Sequence, residues 1–140
     1  MPAAQWPEPV AVVERLLDAP HGFGFFQAVR LLEQWFAREE GLSRTQVLSA
    51  RLAFRNSLSM SFPASEIESL RAVWREVKTL TEADEPTARR RIERIELTPA
   101  FMGLLGAGGT LPSYYTETLA ARETYHRDGA ARAFMDIFLH

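Results

Sequence analysis

Between Phe25 and Glu40 large apolar side chains return every three or four residues, as Phe25, Val29, Leu32, Trp35 and Phe36. Gln27, Arg30, Glu33, Gln34 and Arg38 fall between them. That period gathers the apolar groups on one face of an α-helix, and such a face has to be covered by the rest of the chain. Each large side chain contributes about 1.5–3 kcal/mol when buried, so this helix predicts a core around it. Gly41 is placed as the residue that ends it.

With 140 residues and 46% apolar side chains, the chain can build that core within one domain. It has no cysteine, which removes disulfides, thiolate metal sites and cysteine nucleophiles. Sixteen basic against eighteen acidic residues leave a net charge of −2, and the one basic run is Arg89-Arg90-Arg91, in a polar stretch. That balance points away from nucleic acid. No run approaches the ~18–20 apolar residues of a membrane helix, and the first residues lack the pattern of a signal peptide. Cytosol is the expected compartment, with no direct membrane insertion.

Taken in order, Pro2, Pro7 and Pro9 predict an extended start. Residues 10–17 predict a short helix with Val13, Leu16 and Leu17 on one face, stopped by the 18–24 segment. Residues 51–56 and 58–62 alternate, with Leu52 and Phe54 on one side and Leu58, Met60 and Phe62 on another, which predicts two strands turning at Asn56-Ser57. Residues 65–80 fit a helix capped by Ser65, with Ile67, Leu70, Val73, Trp74, Val77 and Leu80 as its face. An exposed break is expected at 82–87. Residues 91–98 alternate with Ile95 and Leu97 together, 111–125 predict a helix bearing Tyr115, Leu119, Arg122 and Tyr125 on one side, and Asp128 is a natural N-cap for a last helix over 129–140. Phe134, Ile137 and Phe138 form the apolar stripe of that helix, which stops without a cap, so the expectation is the N-terminal part of a longer polypeptide.

Four of eight glycines crowd into one loop: Gly103, Gly106, Gly108 and Gly109. Each costs about 0.5–1 kcal/mol relative to alanine in a regular element, so the loop implies positive φ or close approach of another surface. Phe101, Met102 and Leu104 wall it before, Leu111, Pro112, Tyr114 and Tyr115 after. The spacing is neither a Walker loop nor a dinucleotide fingerprint. His21, His126 and His140 include no pair at metal-binding helical spacing, and no Gly-x-Ser-x-Gly elbow occurs. Gly22-Phe-Gly24 and His126-Arg127-Asp128 mimic kinase fragments by coincidence. No catalytic residue, cofactor or metal ligand is assigned. Large apolar groups at flexible positions, including Trp6, Phe23 and Phe26, suit burial by partners.

Read together, Gly24-Phe-Phe-Gln-Ala-Val-Arg-Leu-Leu-Glu33, Arg51-Leu-Ala-Phe-Arg55, Ser57-Leu-Ser-Met-Ser-Phe-Pro63 with Glu66-Ile67, and Phe101-Met-Gly-Leu-Leu-Gly106 resemble the TssG (ImpH/VasB) family of type VI secretion baseplate subunits. Gly109-Thr-Leu-Pro112, Tyr115-Thr-Glu117 and Phe134-Met-Asp-Ile-Phe138 with His140 continue the resemblance. Ala107, Thr110, Tyr114 and the polar insert at 82–91 depart from it. The resemblance implies a structural, non-enzymatic wedge component that assembles with TssF-, TssK- and TssE-like subunits in the cytoplasm, docked to an inner-membrane complex. It also implies that 66–77 belongs to a sheet, against the helical pattern, and both readings stand at this point. The expected fold is α+β, with helices on a small, mostly antiparallel sheet. The glycine loop and its flanking residues are the expected interface or interface-supporting positions. The alternatives are a small enzyme using 103–110 to bind an anion, and a generic interaction module.

Overall fold

The computed structural model describes residues 9–77 and 89–140. Helix α1 (Pro9–Asp18) buries Val13 and Leu16, a 3-10 turn comes next at Pro20–Gly22, and α2 spans Phe25–Glu40 as its pattern requires. Phe25, Ala28, Leu32 and Phe36 form its buried face, and Gly41 ends it at φ +66°. Gly24 offers no side chain to cap the helix. The Glu66 carboxylate does so from across the fold, accepting the Phe25 N–H at 2.7 Å. Glu33, expected on the solvent side, is buried because Arg44 reaches it at 3.1 Å. Arg44 opens α3 (Arg44–Ala50), a helix that hydrophobic periodicity does not announce. Its signal is a capping box: Ser43 Oγ accepts the Gln46 N–H, and Gln46 Oε1 accepts the Ser43 N–H.

Three strands form one sheet in the order β1-β3-β2: β1 (Leu52–Phe54), β2 (Ile67–Val77) and β3 (Arg89–Pro99). β2 and β3 are antiparallel along their length, while β1 lies parallel to β3 with Leu52 beside Ile95. The domain is therefore α+β, its core formed by α1, α2 and α3 against Leu52, Ile67, Ile92, Ile95 and Leu97.

Several expectations are corrected. Residues 67–77 are strand, and Ser65 donates to the Ile67 carbonyl instead of capping a helix. The pattern there fits both periods, and pairing with β3 decides it. Residues 78–80 of that reading, the break at 82–87 and the extended start before Pro9 lie outside the described residues. Residues 58–62 form no strand. Their serines take local main-chain hydrogens, Ser57 Oγ from Ser59 N and Ser59 Oγ from Ser61 N, which breaks the ladder a strand would need. Asn56-Ser57 makes no hairpin, since β1 pairs with β3 and not with the serine segment next to it in sequence.

Helix α4 (Ser113–His126) begins just after Pro112, and its buried side is Thr116 and Leu119. Of the residues expected along one side, Leu119 is buried while Tyr115 and Tyr125 are exposed. The last helix is shorter than expected: α5 (Ala130–Asp136) gives way to a 3-10 turn, Ile137–Leu139. Asp128 still secures its start, accepting the Ala130 N–H at 3.1 Å from one position before the Gly129 N-cap.

Candidate protein-interaction surface

Asn56 is the residue on which this end of the fold converges. It leaves β1 fully buried, and its amide is shared between two distant segments. Oδ1 accepts the N–H of Leu104 at 2.8 Å and of Leu105 at 3.3 Å, both in the glycine loop. Nδ2 donates to Asp136 Oδ1 at 2.9 Å, and the Asn56 main-chain N–H donates to the same oxygen at 2.6 Å. Its carbonyl accepts two bonds from Arg132, at 2.8 and 3.1 Å, and Arg132 in turn pairs with Glu123 of α4. One residue, through its side chain and main chain, thus ties the segment after β1, the loop and α5 together, and reaches α4 through Arg132.

The glycine loop closes on itself around this anchor. Gly103 and Gly106 adopt φ +138° and +87°, conformations that side chains rarely take. Gly109 is required for space: a Cβ there would lie 2.6 Å from the Leu105 main chain. Gly108 has neither constraint within the chain. Gly106 N–H goes to Thr116 Oγ1, Ala107 N–H to the Ser59 carbonyl, and the N–H groups of Gly109, Thr110 and Leu111 to carbonyls of Gly106, Gly103 and Leu104. With Leu104 and Leu105 held by Asn56, these seven donors are already used. That leaves fewer main-chain donors for the anion-binding alternative, with the N–H groups of Gly103 and Gly108 outside this set.

The expected interface positions therefore separate. Gly103, Leu104, Gly106 and Gly109 are interior or half-buried supports, Met102 packs on the core, and Leu111 is half-buried. Phe101, Gly108, Pro112, Tyr114 and Tyr115 are exposed. Phe101 continues an aromatic chain, with its ring centroid 5.5 Å from Phe25 and 6.2 Å from the exposed Phe26, while Phe25 reaches Phe54 at 5.9 Å.

Sequence reasoning, which counts the last helix among the apolar groups that suit burial by partners, missed how α5 is attached. An amphipathic helix normally buries its apolar side. Here α5 buries none of its residues and is held by its polar ones, Asp136 and Arg132 on Asn56 and Arg55 on Asp136 at 3.5 Å. The apolar stripe of α5 and the 3-10 turn after it points outward, with Phe134 58%, Ile137 66% and Phe138 66% exposed and the two phenyl rings in edge contact at 5.6 Å. No local signal could have given this, because the partners are about 80 residues apart in sequence.

A cleft of about 270 Å³ between the 3-10 turn and the serine segment is lined by His21, Ser57, Ser59, Ser61 and Glu68. Ser57 and Ser59 hydroxyls there already accept main-chain N–H groups, and no histidine–serine hydrogen bond forms among the described residues. Among those residues no group of three or more His, Asp or Glu is placed to hold a metal, and no helix is long and apolar enough to cross a membrane.

Fold and surface define an α+β protein with an outward apolar face on a polar latch. The family model described as "Type VI secretion, TssG" matches residues 19–140, and the chain belongs to that family. It is accordingly a component of the type VI secretion baseplate, a structural family and not a known enzyme family. No curated protein and no solved structure matches it.

Proposed function

We propose that the chain is the N-terminal part of a wedge subunit that joins TssF-, TssK- and TssE-like partners in the cytoplasm, at a baseplate docked to the inner-membrane complex, and there helps nucleate and anchor the contractile tail. The observation that carries this reading is the stripe Phe134, Ile137 and Phe138, turned to solvent by the Asn56–Asp136 latch. Contiguous exposed aromatic groups are the usual anchors of protein interfaces. The glycine loop, bonded to Asn56 as α5 is, acts as a support, and Phe101, Tyr114 and Tyr115 at its ends are exposed.

Co-expression with a TssF-like subunit tests this. Changing Phe134, Ile137 and Phe138 together to serine is expected to leave the far-ultraviolet circular dichroism intact and to abolish co-purification. Unchanged co-purification refutes the assignment of this face. The chain alone is expected to aggregate and to be rescued by that partner; a monodisperse, thermally robust monomer argues against a scaffold buried by neighbours.

A further inference from the structure

A second surface, independent of the α5 face, lies at the opposite margin of the sheet. Among the described residues β2 pairs with β3 on one side only, and no strand lies beside the main-chain N–H and C=O groups of its other edge. The 3-10 turn covers the start of that edge, near Ile67 and Glu68. Beyond it Arg71, Trp74, Arg75 and Glu76 are exposed.

Charges along β2 balance in number, but Glu76 falls by alternation on the face away from Arg71 and Arg75, and on the arginine face they do not balance. Strand alternation sets Arg71, Val73 and Arg75 on one face, since the register shift between Val73 and Trp74 places the extra residue, Glu93, on β3. Arg71 shares the single carboxylate of Glu96, at 3.8 Å, with Arg94 at 3.0 Å and Arg55 at 3.7 Å. Arg75 stands directly across from Arg91, and like charges in that relation destabilise a sheet. Arg75 and Arg91 border a shallow cleft with Glu39, Glu40 and Glu93. Glu40 is held by Arg51 at 2.8 Å, and neither Arg75 nor Arg91 lies within ion-pair distance of a carboxylate among the described residues. A charge on an edge strand can serve simply to prevent unwanted pairing. One arginine suffices for that, and it does not explain a second one opposed to it across the ladder.

We propose that residues 71–76 of β2 are an augmentation site for an extended acidic segment of a partner protein. Such a segment extends the sheet through main-chain hydrogen bonds. Two of its carboxylates, four residues apart, meet Arg71 and Arg75 and relieve the crowding of guanidinium groups. A second copy of this chain is a poor occupant, because an antiparallel pair centred on Val73 sets Arg71 against Arg75. The open main-chain edge is complementary to a strand rather than to nucleic acid.

The test uses the chain with Phe134, Ile137 and Phe138 changed to serine, which removes the face expected to drive aggregation and leaves β2 unaltered. The probes are a short synthetic peptide of alternating threonine and valine carrying two glutamates four residues apart, its lysine counterpart, and a single-stranded oligonucleotide. The acidic peptide is expected to bind saturably, protect the 71–76 amides from exchange and shift Trp74 fluorescence. Arg71→Glu with Arg75→Glu should weaken it by roughly tenfold or more and transfer binding to the lysine peptide. Arg71→Gln with Arg75→Gln serves as a milder variant, expected to weaken binding without that transfer. Equal binding of both peptides to the chain with β2 unaltered, protection elsewhere, self-association through these amides, or an oligonucleotide that outcompetes the acidic peptide each overturns the proposal. None of these outcomes reads the α5 face.

Discussion

Replacing Asn56 with alanine tests the latch most directly. The change removes three hydrogen bonds at once: those from Leu104 and Leu105, and that to Asp136. Leu105 is buried, so water cannot replace its acceptor, and an orphaned buried donor costs about 1–3 kcal/mol. The other two bonds lie in part-buried surroundings and contribute about 1 kcal/mol each. The expected loss is about 3–5 kcal/mol, a large part of the ~5–15 kcal/mol typical of a domain. Denaturant unfolding measures it, and amide exchange at Leu104 and Leu105 should accelerate with it. Asn56→Asp keeps the acceptor but sets a second carboxylate against Asp136, so it should destabilise as well. Adding Asp136→Asn restores a donor between the two side chains and should recover part of the loss. An Asn56→Ala chain within about 1 kcal/mol of the original, or a double variant no better than Asn56→Asp, refutes the convergence of loop, sheet and helix on this one amide.

Gly109→Ala should destabilise by about 1–3 kcal/mol because its methyl meets the Leu105 main chain, whereas Gly108→Ala should be nearly neutral; thermal unfolding of the pair separates them. Glu66→Ala removes the acceptor of the Phe25 N–H and should cost about 0.5–2 kcal/mol, seen as faster exchange at the first turn of α2. The Asp128 carboxyl is held below its ordinary value of 3.8, first by the Ala130 N–H and then by Arg122. A lowered folded value means that its contribution is complete above the ordinary value and is lost as pH falls through the lowered one. Protection of the Ala130 amide should therefore decline only below pH 3.8, and Asp128→Asn should abolish that dependence. A decline centred above the ordinary value contradicts the assignment.

Helix α2 and strand β3 were legible because their patterns are periodic and local. Phe25, Leu32 and Phe36 share a face whatever they pack against, and Ile95 and Leu97 alternate in the same way. The 67–77 stretch satisfied two periods, and local spacing could not choose between them. The serine segment had strand alternation, but each hydroxyl found a main-chain donor two residues away, a competitor that hydrophobic pattern does not register. At the candidate surface, the concentration of glycine marked the right loop. It did not reveal that the loop is mostly support, nor that its acceptors are Asn56 and Thr116.

By itself the sequence determined the α+β class, the core face of α2, the family and the place of the glycine loop. All of these rest on neighbours a few residues apart or on a pattern of residue types along the chain. The tertiary structure alone decided that Asn56 is buried, that Asp136 and Arg132 bind it, and that Phe134, Ile137 and Phe138 consequently face outward. An amphipathic pattern says that a helix has two unlike sides. Which side is turned inward depends on the free energy of contacts with segments far along the chain, and here a polar cluster holds it the other way round.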